Sequence, residues 1–96
     1  MTVFIATLRI KPGQEAEFER LQRELSELTH ANEPDTFVYD IVRSRDAPDT
    51  YVVYARFKDD AAFQHHQATP FHDRLVPPIL ATVAGEMDLK FYEFVA

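Results

Sequence analysis

Hydrophobic and polar positions alternate in two different rhythms along the chain, and the change of rhythm marks its elements. Thr2–Lys11 is rich in β-formers (Val3, Phe4, Ile5, Thr7, Ile10) and stops at Pro12-Gly13, a turn signal. Over Gln14–Ala31 the period becomes helical: Phe18, Leu21, Leu25 and Leu28 recur at spacings of three and four. Charged residues, among them Glu15, Glu19, Arg20, Arg23 and Glu27, fill the other faces of that helix. Asn32-Glu33-Pro34-Asp35 ends it, because a residue preceding proline is pushed out of the helical region.

Thr36–Arg43 and Thr50–Phe57 read as two strands joined by the polar turn Ser44–Asp49, an antiparallel hairpin. Asp59 and Asp60 offer N-caps for a helical piece reaching about His66. Thr69-Pro70 restarts helix, with Thr69 as cap and Pro70 at the first helical position. Pro77-Pro78 is expected to kink that segment or open a new turn, and Gly85 to cap a C-terminus. Met87–Val95 alternates as a last strand.

The order β-α-β-β-α-β predicts one domain over 1–96, a ferredoxin-like α+β sandwich with helices on one face of an antiparallel sheet. The other face matters for function. Strand one sends Val3 and Ile5 one way and Phe4, Leu8 and Ile10 the other. Strand two sends Phe37, Tyr39 and Ile41 one way and Val38 and Val42 the other. Strand four alternates Met87, Leu89 and Phe91 with Tyr92 and Phe94. A sheet wetted on one side alternates apolar with polar, whereas this one is apolar on both. The uncovered face therefore predicts a homodimer, packed sheet against sheet.

Composition narrows the chemistry. At 96 residues, 46% of them hydrophobic and 27% charged, the chain is globular in character. It contains no cysteine, which excludes disulfides, thiolate metal sites and cysteine nucleophiles. Two glycines cannot build a phosphate-cradling loop. A net charge of −6 is a poor match for a nucleic-acid backbone. No segment approaches the roughly 20 apolar residues of a membrane span. A cytoplasmic protein with no membrane or nucleic-acid partner is expected.

Several strings along the chain occur together: Lys11-Pro12-Gly13, then Asn32-Glu33-Pro34-Asp35-Thr36 leading to Tyr39, then Asp59-Asp60-Ala61-Ala62-Phe63, then His66-Gln67-Ala68-Thr69-Pro70-Phe71. With the element order, they resemble the antibiotic biosynthesis monooxygenase (ABM) domain family across essentially the whole chain. The sharpest features are the histidine three residues before Thr-Pro, here His66, and the Glu-Pro loop followed by a strand aromatic. The chain departs from the family pattern at Asp35 (usually glycine), Ala55 (often glutamate) and Phe71 (often histidine, with His72 one residue later). Places used by haem-degrading relatives fall near Ala6, His66 and Val76, so the resemblance does not extend to haem degradation.

The resemblance implies a dimeric α+β barrel and cofactor-free oxygenation of a small aromatic, such as a hydroquinone or polyketide phenol, by O₂. Such chemistry needs a dry aromatic pocket and a base for the phenolic proton. Histidine suits that role because its pKa lies near neutrality. His66 is the expected catalytic base. Tyr39, Tyr54, Phe63 and Phe71 are expected to line the pocket, with Asn32 and His72 as polar contacts at its rim. A His66 that merely packs between helix and sheet is the competing reading, and most of the aromatic rings belong to core or interface on either view.

Other readings remain beside this one. An isomerase could use His66 to move a proton without O₂, and a non-catalytic dimer could bind a hydrophobic ligand. His65, His66 and His72 lack the i,i+4 spacing that sets two imidazoles on one helix face, so no metal site is expected. Ser26 and Ser44 have no nucleophile-elbow sequence around them, which removes a serine hydrolase. Tyr51–Phe57 lacks the basic-glycine opening of an RNA-stacking strand, and copper-chaperone chemistry needs the missing cysteines.

Overall fold

In the computed structural model, which describes residues 1–96, Thr2–Arg9 forms β1, Glu15–Asn32 α1, Thr36–Arg43 β2 and Thr50–Phe57 β3. Asp60–Gln67 forms α2, Pro70–Ala81 α3 and Asp88–Glu93 β4. The strands pair antiparallel in the order β2-β3-β1-β4. This is the expected ferredoxin-like α+β sheet, with the second helical connection split into α2 and α3.

Cross-strand register assigns the faces. Phe4 sits between Ala55 and Phe91, Ala6 between Val53 and Leu89, and Leu8 opposite Tyr51. Together with Tyr39 and Phe57 these residues face the helices. They pack with Phe18, Leu21 and Leu25 of α1 and Leu75 and Ile79 of α3 into one core. Four rings meet around Phe4: Phe57 lies stacked at 5.9 Å, and Tyr39, Phe63 and Phe91 approach edge-on at 5.9–6.4 Å. β4 lies at the margin of the helical layer, met at Phe91 by the Phe63 ring of α2 at 5.2 Å, so Leu89 and Phe91 stay exposed although they point to the helix side.

Local chemistry sets the element ends. Gly13 turns the chain at φ 82°, a conformation that favours glycine. The Asp59 carboxylate accepts from the Ala62 N–H at 2.8 Å and starts α2. The Thr69 hydroxyl accepts from the His72 N–H at 3.3 Å and starts α3.

Four expectations need correction. First, α3 runs unbroken through Pro77-Pro78 to Ala81. Both prolines lie on its solvent side, and so do Asp73 and Arg74, whose carbonyls lose their helical donors to water. Second, Gly85 does not cap α3: Thr82 does, and Gly85 takes its positive φ of 78° in the loop beyond. Third, Phe37 does not share a face with Tyr39. It is the extra residue of a β-bulge between Thr36 and Val38 and is exposed. Fourth, the ends of two strands peel away. Ile10 leaves β1 to bridge Val83, and β4 stops at Glu93.

The outer sheet face carries Val3, Ile5, Val38, Val42, Val52, Tyr54 and Tyr92, interrupted by Asp40, Arg56 and Lys90. Arg56 lies 4.4 Å over the Phe94 ring, which folds across one corner of that face. No helix is long and apolar enough to cross a membrane.

Candidate functional site

The site begins with a proline. Pro34 forces Glu33 out of helical geometry at the end of α1, while the Glu33 N–H still donates to the Thr29 carbonyl at 2.9 Å. That turn carries the Glu33 side chain inward, where it is only 3% exposed. On α2 the Asp59 cap fixes the helical phase, so Ala62 and His66, one turn apart, both face the sheet. His66 is 1% exposed, between the rings of Tyr39 at 5.1 Å and Phe57 at 5.4 Å.

The two side chains meet. Nδ1 of His66 lies 2.9 and 3.0 Å from the two Glu33 carboxylate oxygens, and the Thr36 hydroxyl donates to the same carboxylate at 2.8 Å. A carboxylate only accepts, so Nδ1 carries the proton and Nε2 keeps a free lone pair. Burial lowers the His66 pKa below its usual value, outweighing the opposite pull of Glu33. The ring is therefore neutral at pH 7. Once Nε2 gains a proton, the carboxylate stands against the resulting imidazolium. The pair has the geometry of an imidazole oriented by a buried carboxylate dyad partner.

His66 lines a cavity of about 190 Å³ between the sheet and helices α1 and α3. Its inner wall is apolar: Phe4, Ala6, Leu8, Leu25, Val53 and Ile79. Polar groups enter only at Gln22, Tyr39, His66, Gln67 and His72. Burial, reinforced by the nearby Glu33, raises the Tyr39 phenol far above its normal pKa, so its hydroxyl stays protonated. His72 meets His66 edge-on at 4.9 Å, and its pKa is lowered first by burial and then by His66. Leu80, Met87 and Leu89 are lining residues that are also exposed, which locates the mouth beside the β4 edge. A volume somewhat above the roughly 150 Å³ that holds a benzene suits one substituted ring or a fused pair.

Comparison with known proteins places this geometry. The family model for antibiotic biosynthesis monooxygenases matches residues 1–77, which include both members of the dyad. The chain belongs to the ABM family. A crystal structure described as an antibiotic biosynthesis monooxygenase is 32% identical, with both chains covered over 100% of their length and a TM-score of 0.91. A candidate antibiotic biosynthesis monooxygenase from Caulobacter crescentus is 28% identical over 99% of this chain and 90% of its own, at a TM-score of 0.94. Another candidate, from Nitrosomonas europaea, shares the fold at 22% identity, with complete coverage of both chains and a TM-score of 0.93. No curated protein matches the chain.

Within this ABM domain the residues singled out from sequence divide into two groups. His66, Tyr39, Phe63 and His72 come together around the cavity. Asn32, Tyr54 and Phe71 do not. Asn32 is exposed and its amide donates to the Leu28 carbonyl at 2.8 Å, closing the last turn of α1. Tyr54 pairs with Ile5 and Asp40 on the outer sheet face, because β3 alternates and sends Val53 and Ala55 inward instead. Phe71 packs at the edge of the core without reaching the cavity. Sequence reasoning singled out Glu33 as a loop marker and missed its role as the partner of His66, a contact between residues 33 positions apart. It also missed Gln22, although Phe18, Gln22, Leu25 and Thr29 follow one another at helical spacing, which puts a polar side chain on the buried stripe.

Proposed function

We propose that this ABM domain is a cofactor-independent monooxygenase of a small electron-rich phenol or hydroquinone, with Nε2 of His66 as proton acceptor. The observation that carries the reading is a buried Glu33–His66 pair presenting a neutral, oriented imidazole to an apolar cavity the size of one or two rings. Deprotonation converts the phenol to a phenolate, a far stronger reductant, inside a cavity with a mostly apolar wall. The substrate supplies all four electrons. O₂ adds at a ring carbon ortho or para to the oxygen, and the hydroperoxide takes the proton held by His66. Loss of the ring hydrogen with cleavage of the O–O bond leaves a carbonyl and releases water. A phenol and O₂ thus give a quinone and H₂O.

Oxygen uptake with hydroquinones and fused-ring phenols tests the reading. Uptake above autoxidation is expected, falling by about 10²–10⁴ in His66→Ala, the usual contribution of a positioned base. Turnover that persists in this variant refutes His66 as base. Conversion that proceeds equally well without O₂ identifies a proton-moving isomerase on the same scaffold, and binding without conversion identifies a ligand carrier.

A second copy covering the outer sheet face belongs to the same proposal. Its support is the half-exposed apolar run Ile5, Val52 and Tyr54 along the two central strands, which no helix covers.

A further inference from the structure

Four residues form the middle row of the outer sheet face. Asp40 on β2 stands opposite Tyr54 on β3, Tyr54 opposite Ile5 on β1, and Ile5 opposite Lys90 on β4. The row thus carries an acid at one sheet edge, a base at the other, and two half-buried apolar side chains between them. Neighbouring strands lie about 4.8 Å apart, so three spacings put roughly 14 Å between the two charges, too far to pair within one chain. Asp40 is exposed and joins none of the chain's ion pairs. Lys90 meets only Asp88, at 3.8 Å, with both side chains mostly exposed, and a surface pair of that kind holds neither group firmly.

A second copy laid on this face meets the row in one of two ways, because a face-to-face dimer has its twofold axis in the plane between the sheets. An axis along the strands, between β1 and β3, sets β2 of one copy over β4 of the other. Asp40 then faces the partner's Lys90, Tyr54 faces the partner's Ile5, and symmetry repeats both contacts. Packed sheets lie about 10 Å apart, a gap that lysine and aspartate close from opposite sides. In the flanking rows, Val38 falls opposite the partner's Tyr92 and Val52 opposite the partner's Thr7, and no row sets like charges against each other. An axis across the strands lays β2 on β2 and β4 on β4 instead, which brings acid toward acid and base toward base. We propose that the second copy docks with its twofold axis along the strands, locked by two symmetric ion pairs between Asp40 of each copy and the partner's Lys90. This inference rests on the reading of the outer face as a contact between two copies and adds their orientation and the residues that set it.

Charge reversal tests the lock, read as the dimer dissociation constant by sedimentation at low salt. Asp40→Lys and Lys90→Asp each turn both ion pairs into repulsions, and each is expected to weaken the dimer about 10-fold. The double variant Asp40→Lys/Lys90→Asp restores opposite charges at both places and is expected to return to within about 2-fold of wild type. High salt is expected to shrink all these differences. Because both side chains are exposed, every variant is expected to melt with wild type. Net charge alone predicts another pattern: Asp40→Lys moves the chain from −6 toward zero and would tighten association, whereas Lys90→Asp would weaken it. That opposite pattern overturns the proposal, and so does a double variant no tighter than the single ones. A dimer indifferent to all three variants refutes the lock and leaves the second-copy reading standing. A wild-type chain that stays monomeric at micromolar concentration removes both.

Discussion

Replacing Glu33 by alanine removes the acceptor for two buried donors at once: Nδ1–H of His66 at 2.9 Å and the Thr36 hydroxyl at 2.8 Å. Both residues are buried, so water does not readily replace the lost bonds. A buried donor stripped of its partner costs about 1–3 kcal/mol, which puts the loss for the two at about 2–6 kcal/mol. That is a large part of the roughly 5–15 kcal/mol that holds a domain folded. In a domain of this length each kcal/mol moves the melting temperature by about 4–8 °C, so Glu33→Ala is expected to melt at least ~8 °C below wild type. Glu33→Gln separates charge from packing. Its oxygen can still accept from Thr36, but its amide nitrogen is a donor and cannot face Nδ1–H. The ring is then driven to the other tautomer, with its proton on Nε2 toward the cavity. Glu33→Gln is therefore expected to keep most of the stability and to lose activity by about 10²–10⁴, the scale of a misplaced general base. Calorimetric melting at pH 7 and oxygen uptake read the two effects. A Glu33→Ala protein that melts within 2 °C of wild type refutes the buried dyad, and so does a Glu33→Gln protein of undiminished turnover.

Other outcomes follow from the same structure. The folded-state pKa of His66 lies below its unfolded value, so the unfolded chain takes up a proton that the folded one resists. Stability is expected to fall as pH drops from about 6.5 toward the folded pKa. In the His66→Gln variant, that histidine's share of the pH slope is expected to vanish in denaturant titrations. Phe4→Ala removes the ring at the centre of the aromatic cluster and part of the cavity wall. It is expected to cost about 3–5 kcal/mol and to shift binding toward larger fused-ring ligands, measured by urea unfolding and calorimetry. Val42 is 55% exposed on the outer face, so Val42→Asp is expected to fold normally. It should also weaken self-association in sedimentation by setting like charges into the proposed sheet-to-sheet contact. A wild-type chain that sediments as a monomer at micromolar concentration contradicts that contact.

The legible parts of this chain were those that local chemistry dictates. The stripe through Phe18, Leu21 and Leu25, the Asp59 and Thr69 caps and the hairpin at Ser44–Asp49 all depend on residues a few positions apart, and all are present. Proline was over-read. Its cost inside a helix assumes that the carbonyls it leaves unpaired have no other donor, whereas those of Asp73 and Arg74 face water. The β-bulge at Phe37 was invisible, because a strand's alternation does not announce an inserted residue. His66 was found through its motif. Its partner Glu33 was not, because only the fold brings the end of α1 against α2. Tyr54 shows the same limit: one residue of strand register decides whether a ring meets the cavity or the outer face.

The claim on which the functional reading turns is that burial keeps His66 neutral while Glu33 fixes its proton on Nδ1 and leaves the lone pair on Nε2. Long-range ¹⁵N–¹H correlation spectra of the histidine rings at pH 7 measure this without any substrate. The account predicts a protonated Nδ1 and a pyridine-type Nε2 for His66, exchanged for the opposite tautomer in Glu33→Gln. A His66 ring that carries its proton on Nε2, or that is an imidazolium at pH 7, would contradict it.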